Sequence, residues 1–218
     1  MNLRQTIFLS HERKTLIDNS ETCVADPKQY PDATASLTEA FLEDPVLSYL
    51  FEDEEHRPLL QSAFFANRLA SRPDTDVLLL PSGYEKLAAA LWEKPEKNSE
   101  NDSSYSGAIA AAVAVLGEQW ITDRLLNLNP LFEAKPKTPH WYLAFIGTRP
   151  EARGKGLASL LISAITKICD EEKIPAYLES SNPENVSLYE KHGFKVTGEV
   201  TLKNGPIVPL MWRDPLFE

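Results

Sequence analysis

One junction constrains this chain more than any other feature, because an apolar run, a glycine-containing loop and an amphipathic helix follow one another directly. Residues 141–148 are apolar and rich in aromatic side chains, which is typical of a buried strand. In residues 156–170 the apolar side chains recur three and four positions apart, on one face of a helix. A strand that leads straight into such a helix predicts a sheet covered by helices.

The loop inside this junction has the composition of an anion site. Gly154 and Gly156 permit backbone conformations that turn successive N–H groups toward one concavity, and the start of the helix adds a partial positive charge. Arg153 and Lys155 supply side-chain cations. We therefore predict a bound diphosphate at 149–158; the alternative is that the two glycines only form a tight turn. The glycine spacing differs from that of the nucleotide P-loop, which has four residues between its glycines.

Strands and helices alternate over the rest of the chain, which predicts an α/β or α+β sheet with a right-handed crossover. The segment 87–91 is alanine-rich and is equally compatible with a helix. The predicted strands are 23–25, 77–80, 86–92, 141–148, 174–179, 194–202 and 208–212. The predicted helices are 30–44, 58–70, 107–129, 156–170 and 182–192.

The length of 218 residues suits one large domain, which we place at 21–218. Residues 1–20 show no sustained periodicity and are predicted to be an N-terminal arm or tail. Residues 95–139 are polar at first and punctuated by proline later, so they form an insertion. This insertion is either a surface excursion or a lid over the substrate.

Charge and cysteine content exclude several classes of protein. There are 32 acidic and 22 basic residues, and the net charge of −10 argues against a nucleic-acid binder while leaving room for cationic amines. Cys23 and Cys169 are too few for a zinc knuckle, and no cluster has metal-ligand spacing. The longest apolar run falls short of the roughly 20 residues that cross a bilayer. We predict a cytoplasmic protein without a metal or a membrane segment.

Two motifs resemble those of a known family. Arg153-x-x-Gly156-x-Ala158 fits the glycine-loop signature of the GNAT family of N-acetyltransferases, and residues 185–194 are similar to its C-terminal tyrosine helix. The separation of the two motifs and the strand between them also agree. More loosely, residues 41–47 and 210–215 resemble the branch that includes puromycin N-acetyltransferase.

The resemblance implies a mixed central sheet of about six to seven strands, flanked by helices, in which the fourth and fifth strands splay apart. The pantetheine of the cosubstrate acetyl-CoA would lie in that gap, against the backbone of Ile146, Gly147 and Thr148. Because glycine is unusual in a buried strand, we place the family's β-bulge at Gly147. Asn185 would contact the cofactor, whereas Asn182 is predicted to cap its helix. The residues expected at the pyrophosphate are Arg153, Gly154, Lys155, Gly156, Leu157, Ala158 and Ser159.

The same resemblance implies the catalytic groups. Tyr189 would be the general acid that protonates the departing thiolate; the alternative is a core tyrosine. Glu179, at the end of the fifth strand, would accept the proton of the amine directly or through a water; the alternative is a solvated strand-end carboxylate. His140 and Glu93 are further candidates for the base.

The expected activity is direct transfer of an acetyl group from acetyl-CoA to a primary amine, with a small molecule as the acceptor. An acyltransferase with another acyl donor or a hydroxyl acceptor is one alternative. A protein that binds acetyl-CoA without catalysis is another, and a plain interaction domain is a third. No nucleic-acid or membrane partner is expected, and the oligomeric state stays open.

Overall fold

A seven-stranded mixed sheet runs through the protein in the order β1-β2-β3-β4-β5-β7-β6. The computed structural model describes residues 21–71, 76–95 and 106–216. All neighbouring strands are antiparallel except β4 and β5, which are parallel. The strands are β1 (Thr22–Val24), β2 (Asp76–Pro81), β3 (Ala88–Glu93), β4 (Trp141–Thr148), β5 (Ala176–Glu179), β6 (Lys195–Thr201) and β7 (Ile207–Arg213).

Helices cover both faces of this sheet and divide its core into two clusters. The long helix α7 and the short helix α8 pack on one face, and the first five helices pack on the other. We call the first face the α7 face. The α-helices of the described residues are α1 (Tyr30–Ala40), α2 (Pro45–Leu50), α3 (Arg57–Ala70), α4 (Ser106–Leu116), α5 (Gln119–Asp123), α6 (Asn129–Ala134), α7 (Leu157–Glu172) and α8 (Val186–Glu190).

The helix predicted over 30–44 ends earlier, and a second helix that was not predicted follows it. The side chain of Asp44 accepts hydrogen bonds from the backbone N–H groups of Val46 and Leu47, each at 3.0 Å. Pro45 occupies the first turn, where its missing N–H is not needed. Asp44 is therefore the N-cap of α2 and not the end of α1.

The helix predicted over 107–129 is broken at Gly117. This glycine has a left-handed φ of +81° and directly follows the last residue of α4, so it ends that helix. In α5, the indole N–H of Trp120 donates to the carbonyl of Leu50 at 2.7 Å, and its ring stacks on Phe51 with centroids 6.0 Å apart. The described part of the insertion thus packs against the helices opposite the α7 face.

Strands β4 and β5 pair over a short distance and then separate. Their register includes Trp141 with Ala176 and Tyr142 with Tyr177, and no pair beyond these. In contrast, β3 stays paired with β4 as far as Thr148. The result is a gap that exposes the facing backbone edges of β4 and β5, so the predicted splay is confirmed.

The β-bulge of β4 lies at Ala144, and its predicted place at Gly147 is wrong. Leu91 pairs with Phe145 while its neighbour Trp92 pairs with Leu143, which leaves Ala144 as the extra residue. Gly147 continues the ladder normally. A glycine is needed there because a Cβ atom would lie 2.7 Å from the Cβ of Ala40, on helix α1.

This close approach makes a prediction about stability. Gly147→Ala should lower the free energy of unfolding by about 1–2 kcal/mol, because α1 must move away from β4. Urea denaturation of both proteins measures the difference. Gly198→Ala is the matched control in β6, since its new methyl group would make an ordinary contact of 3.7 Å with Leu210. Equal midpoints for Gly147→Ala and the parent protein would contradict the packing explanation.

Candidate active site

The glycine loop presents backbone donors toward open space. Gly154 and Gly156 have φ angles of +79° and +80°, and a Cβ atom at either position would meet nothing within 4 Å. Gly156 is the N-cap of the 16-residue helix α7, whose first N–H groups have no helical acceptors. Leu157 anchors this helix start in the core. The loop therefore combines free backbone donors with the positive end of a helix dipole, which suits a diphosphate.

The side chains of the loop leave this concavity accessible. Lys155 is exposed, and the guanidinium of Arg153 reaches back to the carbonyl of Ala40 at 3.5 Å. Ala158 and Ser159 lie half-buried in the first turn of α7. The structure thus brings all the residues predicted for the pyrophosphate to one helix terminus.

The last residue of β4, beyond the point where β5 separates from it, carries a polar group without a partner in the described residues. The hydroxyl of Thr148 is buried and forms no hydrogen bond within the described residues. Ile146 packs toward the α7 face, and Gly147 faces α1. An unsatisfied hydroxyl and a free strand edge are groups that a polar, extended ligand would pair with. The gap accordingly fits the pantetheine arm of coenzyme A.

Tyr189 lies in the core of the α7 face. Its side chain is 6% exposed, and its ring packs against Phe194 with centroids 6.2 Å apart. Burial first, and the nearby carboxylate of Asp44 second, raise the pKa of its hydroxyl. Because Asp44 caps a helix on the opposite face, the tyrosine and this carboxylate lie near each other across the sheet. The raised pKa favours the phenol over the phenolate.

Asp44 is the site residue that sequence reasoning missed. Besides capping α2, its carboxylate accepts a hydrogen bond of 2.5 Å from the hydroxyl of Ser181, which follows β5. Burial raises the pKa of Asp44, against the effect of these hydrogen bonds. The sequence places Asp44 at the last position of the helix predicted over 30–44 and before a proline, which is a signal of a helix boundary and not of a site.

Glu179 lies on the side of the gap opposite the α7 face. Alternation along β5 places Ala176 and Leu178 in the core under α7, which turns Glu179 to the other face. The hydroxyl of Tyr142 donates to its carboxylate at 2.6 Å, and the phenol of Tyr177 lies close by. Burial is the largest influence on Glu179 and raises its pKa.

The two other candidate bases lie at the far end of β4, away from the glycine loop. Glu93 accepts from Arg68 at 2.9 Å and is 3.5 Å from the ammonium of Lys135. His140 contacts the carbonyl of Thr138 at 2.6 Å, and burial lowers its pKa. Both side chains are therefore engaged outside the gap.

The two asparagines before Tyr189 differ in their roles. The side chain of Asn182 accepts from the N–H of Glu184 at 3.0 Å, so the predicted cap is confirmed. Asn185 occupies the N-cap position of α8, but its side chain makes no capping hydrogen bond and is exposed.

Other chemistries find little support in residues 21–71, 76–95 and 106–216. No group of three His, Cys, Asp or Glu side chains in these residues could hold a metal ion. Burial raises the pKa of Cys169 to about 12, which makes its thiol a poor nucleophile. In the same part of the chain, no helix has the length and apolar character needed to cross a membrane.

Comparison with known sequences agrees with this geometry. The model of the acetyltransferase (GNAT) family matches residues 86–194, which include β3, β4, the glycine loop and Tyr189. The chain is also similar to an uncharacterised N-acetyltransferase of Schizosaccharomyces pombe. The two are 31% identical over 206 residues, covering 88% of this chain and 83% of the yeast protein.

Solved structures show the same fold. A histone acetyltransferase HPA2-related protein from Corynebacterium glutamicum superposes with a TM-score of 0.66 at 22% identity, over 91% of this chain and 97% of the other. Arylalkylamine N-acetyltransferase 2 from Aedes aegypti gives 0.60 at 14% identity, over 88% and 97%. An agmatine N-acetyltransferase gives 0.55 at 15% identity, over 88% and 98%.

Proposed function

Since the chain belongs to the GNAT acetyltransferase family, we propose that it transfers the acetyl group of acetyl-CoA directly to a primary amine of a small molecule. One observation carries the proposal. Tyr189 lies in the core of one face of the sheet, the carboxylate of Glu179 lies on the other face, and β4 and β5 separate between them. An acid and a base on opposite sides of a gap suit a reaction that must both accept and donate a proton.

Acetyl-CoA would be held by backbone groups at both ends of its pantetheine arm. The amides of 154–159 would bind the diphosphate, and the β4 edge at Ile146 and Thr148 would pair with pantetheine. Asn185 would contact the arm from α8. Acetyl-CoA supplies the activated thioester, and the chain supplies position and proton transfer.

The proposed step is a direct transfer of the acetyl group from sulfur to nitrogen. The amine nitrogen forms a bond to the acetyl carbon, the carbon–sulfur bond breaks, and the thiolate takes the phenolic proton of Tyr189. Glu179 accepts the proton that the amine nitrogen loses, directly or through a water. Burial and, to a smaller extent, the negative charge of Asp44 disfavour the phenolate and so favour the protonated form of Tyr189.

The surroundings of the gap support a small cationic acceptor. Asp44 and Glu179 are both on the side where the acceptor would enter, and the net charge of −10 favours the approach of an amine. The names of two structural neighbours, for arylalkylamine and agmatine acetylation, support the same class. So does the resemblance of 41–47 to the puromycin N-acetyltransferase branch. The insertion would border this entrance as a lid.

The experiment that tests this function is amine-dependent release of coenzyme A. Purified protein, acetyl-CoA and a panel of primary amines should give free thiol together with a product heavier by one acetyl group. A series of longer acyl donors and of alcohols tests the rival acyltransferases. Binding of acetyl-CoA without release for any acceptor would favour the non-catalytic alternative.

Glu179→Gln tests the proposed base. We expect kcat/KM to fall about 100-fold, since a positioned base contributes 10²–10⁴. A base must be ionised, so activity should be lost as pH falls through the pKa of Glu179, which burial places above the ordinary value of about 4.3. The pH profile of kcat/KM for Glu179→Gln should lack this acidic limb, the fall of activity at low pH. Glu184→Gln changes an exposed glutamate nearby and is the control. If the acidic limb of the pH profile is lost in Asp44→Asn and not in Glu179→Gln, the base is Asp44.

A further inference from the structure

The insertion returns to the sheet with a lysine beside the proposed base. Lys135 follows α6, and its ammonium lies 3.5 Å from the centroid of the Tyr142 ring. The same ammonium lies 3.5 Å from a carboxylate oxygen of Glu93. The lysine side chain is one-third exposed, with a relative accessibility of 33%, so these contacts are partly shielded from solvent.

The carboxylate that holds Lys135 is itself fixed. Arg68 is fully buried and donates to Glu93 at 2.9 Å and to Asp76 at 2.7 Å. We call Arg68, Asp76, Glu93 and Lys135, which these contacts join, the charged cluster. Lys135 is the member whose ammonium lies over the Tyr142 ring.

Tyr142 connects this cluster to Glu179. A cation over the face of an aromatic ring is attracted to its π electrons, and the ring is thereby held in place. The hydroxyl of the same ring donates to the carboxylate of Glu179 at 2.6 Å. Lys135 consequently acts on Glu179 in two ways, through the orientation of Tyr142 and through its charge.

We infer that Lys135 is a positioning residue that holds Tyr142 on Glu179 and favours the carboxylate form of Glu179 over the carboxylic acid. The inference rests on the proposed function, in which that carboxylate accepts the proton of the amine. Lys135 directly follows α6, the last described helix of the insertion, so the insertion would contribute to the site through this lysine.

The charges around Glu179 determine the sign of the effect. Burial raises the pKa of Glu179, while the hydrogen bond from Tyr142 and the charge of Lys135 lower it. The titratable groups on this side include Tyr177 of β5, His140 before β4, Glu93 of β3 and Asp44 before α2. Because the charge of Lys135 lowers the pKa of Glu179, removing that charge should raise it.

Lys135→Met tests the inference with a readout that does not need catalysis. In protein labelled with ¹³C at glutamate carboxyl carbons, the Glu179 signal is assigned by its absence in Glu179→Gln. Its titration midpoint should move to higher pH by about 0.5–1 unit, at or below the lower end of the range for a nearby opposite charge, because Lys135 is partly exposed. Lys135→Arg should restore the midpoint. Lys137→Met removes the same charge at an exposed position and should leave it unchanged.

The pH profile of kcat/KM then separates this inference from the proposed function. If both hold, the acidic limb of Lys135→Met moves with the carboxyl midpoint. Suppose that the carboxyl midpoint shifts but that neither Lys135→Met nor Glu179→Gln changes the acidic limb of the kcat/KM profile. Glu179 would then not be the base, whereas the effect of Lys135 on Glu179 would still hold. An unchanged midpoint in Lys135→Met, or an equal shift in Lys137→Met, would overturn the inference.

Discussion

Gly156→Glu is expected to weaken acetyl-CoA binding at least about 100-fold, equivalent to about 2.7 kcal/mol. Two physical effects add at this position. A carboxylate would stand at the start of α7, where the diphosphate carries negative charge, and it would repel the ligand. Moreover, a side chain at a φ of +80° strains the backbone by roughly 1–2 kcal/mol and tends to change the loop. Calorimetric titration with acetyl-CoA measures the loss.

Matched variants separate these effects from general damage. Gly117→Glu introduces the same charge at a φ of +81° with open space around it, at the end of α4 rather than at the loop. It should lose a similar amount of stability and keep its affinity for acetyl-CoA. Gly156→Ala adds strain without charge, and its affinity for acetyl-CoA should lie between those of the parent protein and Gly156→Glu. Tight binding by Gly156→Glu would refute the placement of the diphosphate.

Tyr189→Phe is expected to lower turnover by about 100-fold or more while leaving the Kd of acetyl-CoA within a factor of two. The substitution removes only the hydroxyl, and the ring keeps its contact with Phe194. The thiolate then leaves without a proton donor, so the chemical step slows and binding does not. Steady-state kinetics together with calorimetry resolve the two quantities.

The control for this variant is Tyr84→Phe. Tyr84 is 50% exposed in the turn between β2 and β3, and loss of its hydroxyl should change neither turnover nor binding. If Tyr189→Phe retained full turnover, Tyr189 would be a core tyrosine and the thiolate would be protonated from elsewhere. A parallel fall in stability would be detected by urea denaturation of both variants.

Features that depend on local periodicity were predictable from the sequence. The strand predicted at 141–148 coincides with β4 (Trp141–Thr148), and the helix predicted at 156–170 overlaps α7 (Leu157–Glu172) almost fully. The left-handed conformation of Gly154 and Gly156 follows from their residue type in a strand-to-helix turn. These short-range signals located one half of the candidate site, the anion-binding loop.

Features that depend on neighbours distant in sequence were not predictable in the same way. The bulge at Ala144 is defined by the register of β4 against β3, about fifty residues earlier in the chain. Gly147 is explained by the approach of Ala40 on α1. Asp44 becomes a site residue only because folding brings it to Ser181 and Tyr189. Each case requires a tertiary contact that no periodicity encodes.

Calorimetric titration of the full chain with acetyl-CoA at moderate salt tests the central claim most directly. We expect a one-to-one isotherm with a Kd in the micromolar range, about −8 kcal/mol, because backbone donors of the loop and of the β4 edge would bind both ends of the ligand. Thermal stabilisation should accompany the heat. Absence of both heat and stabilisation at millimolar acetyl-CoA would contradict the proposed acetyltransferase function.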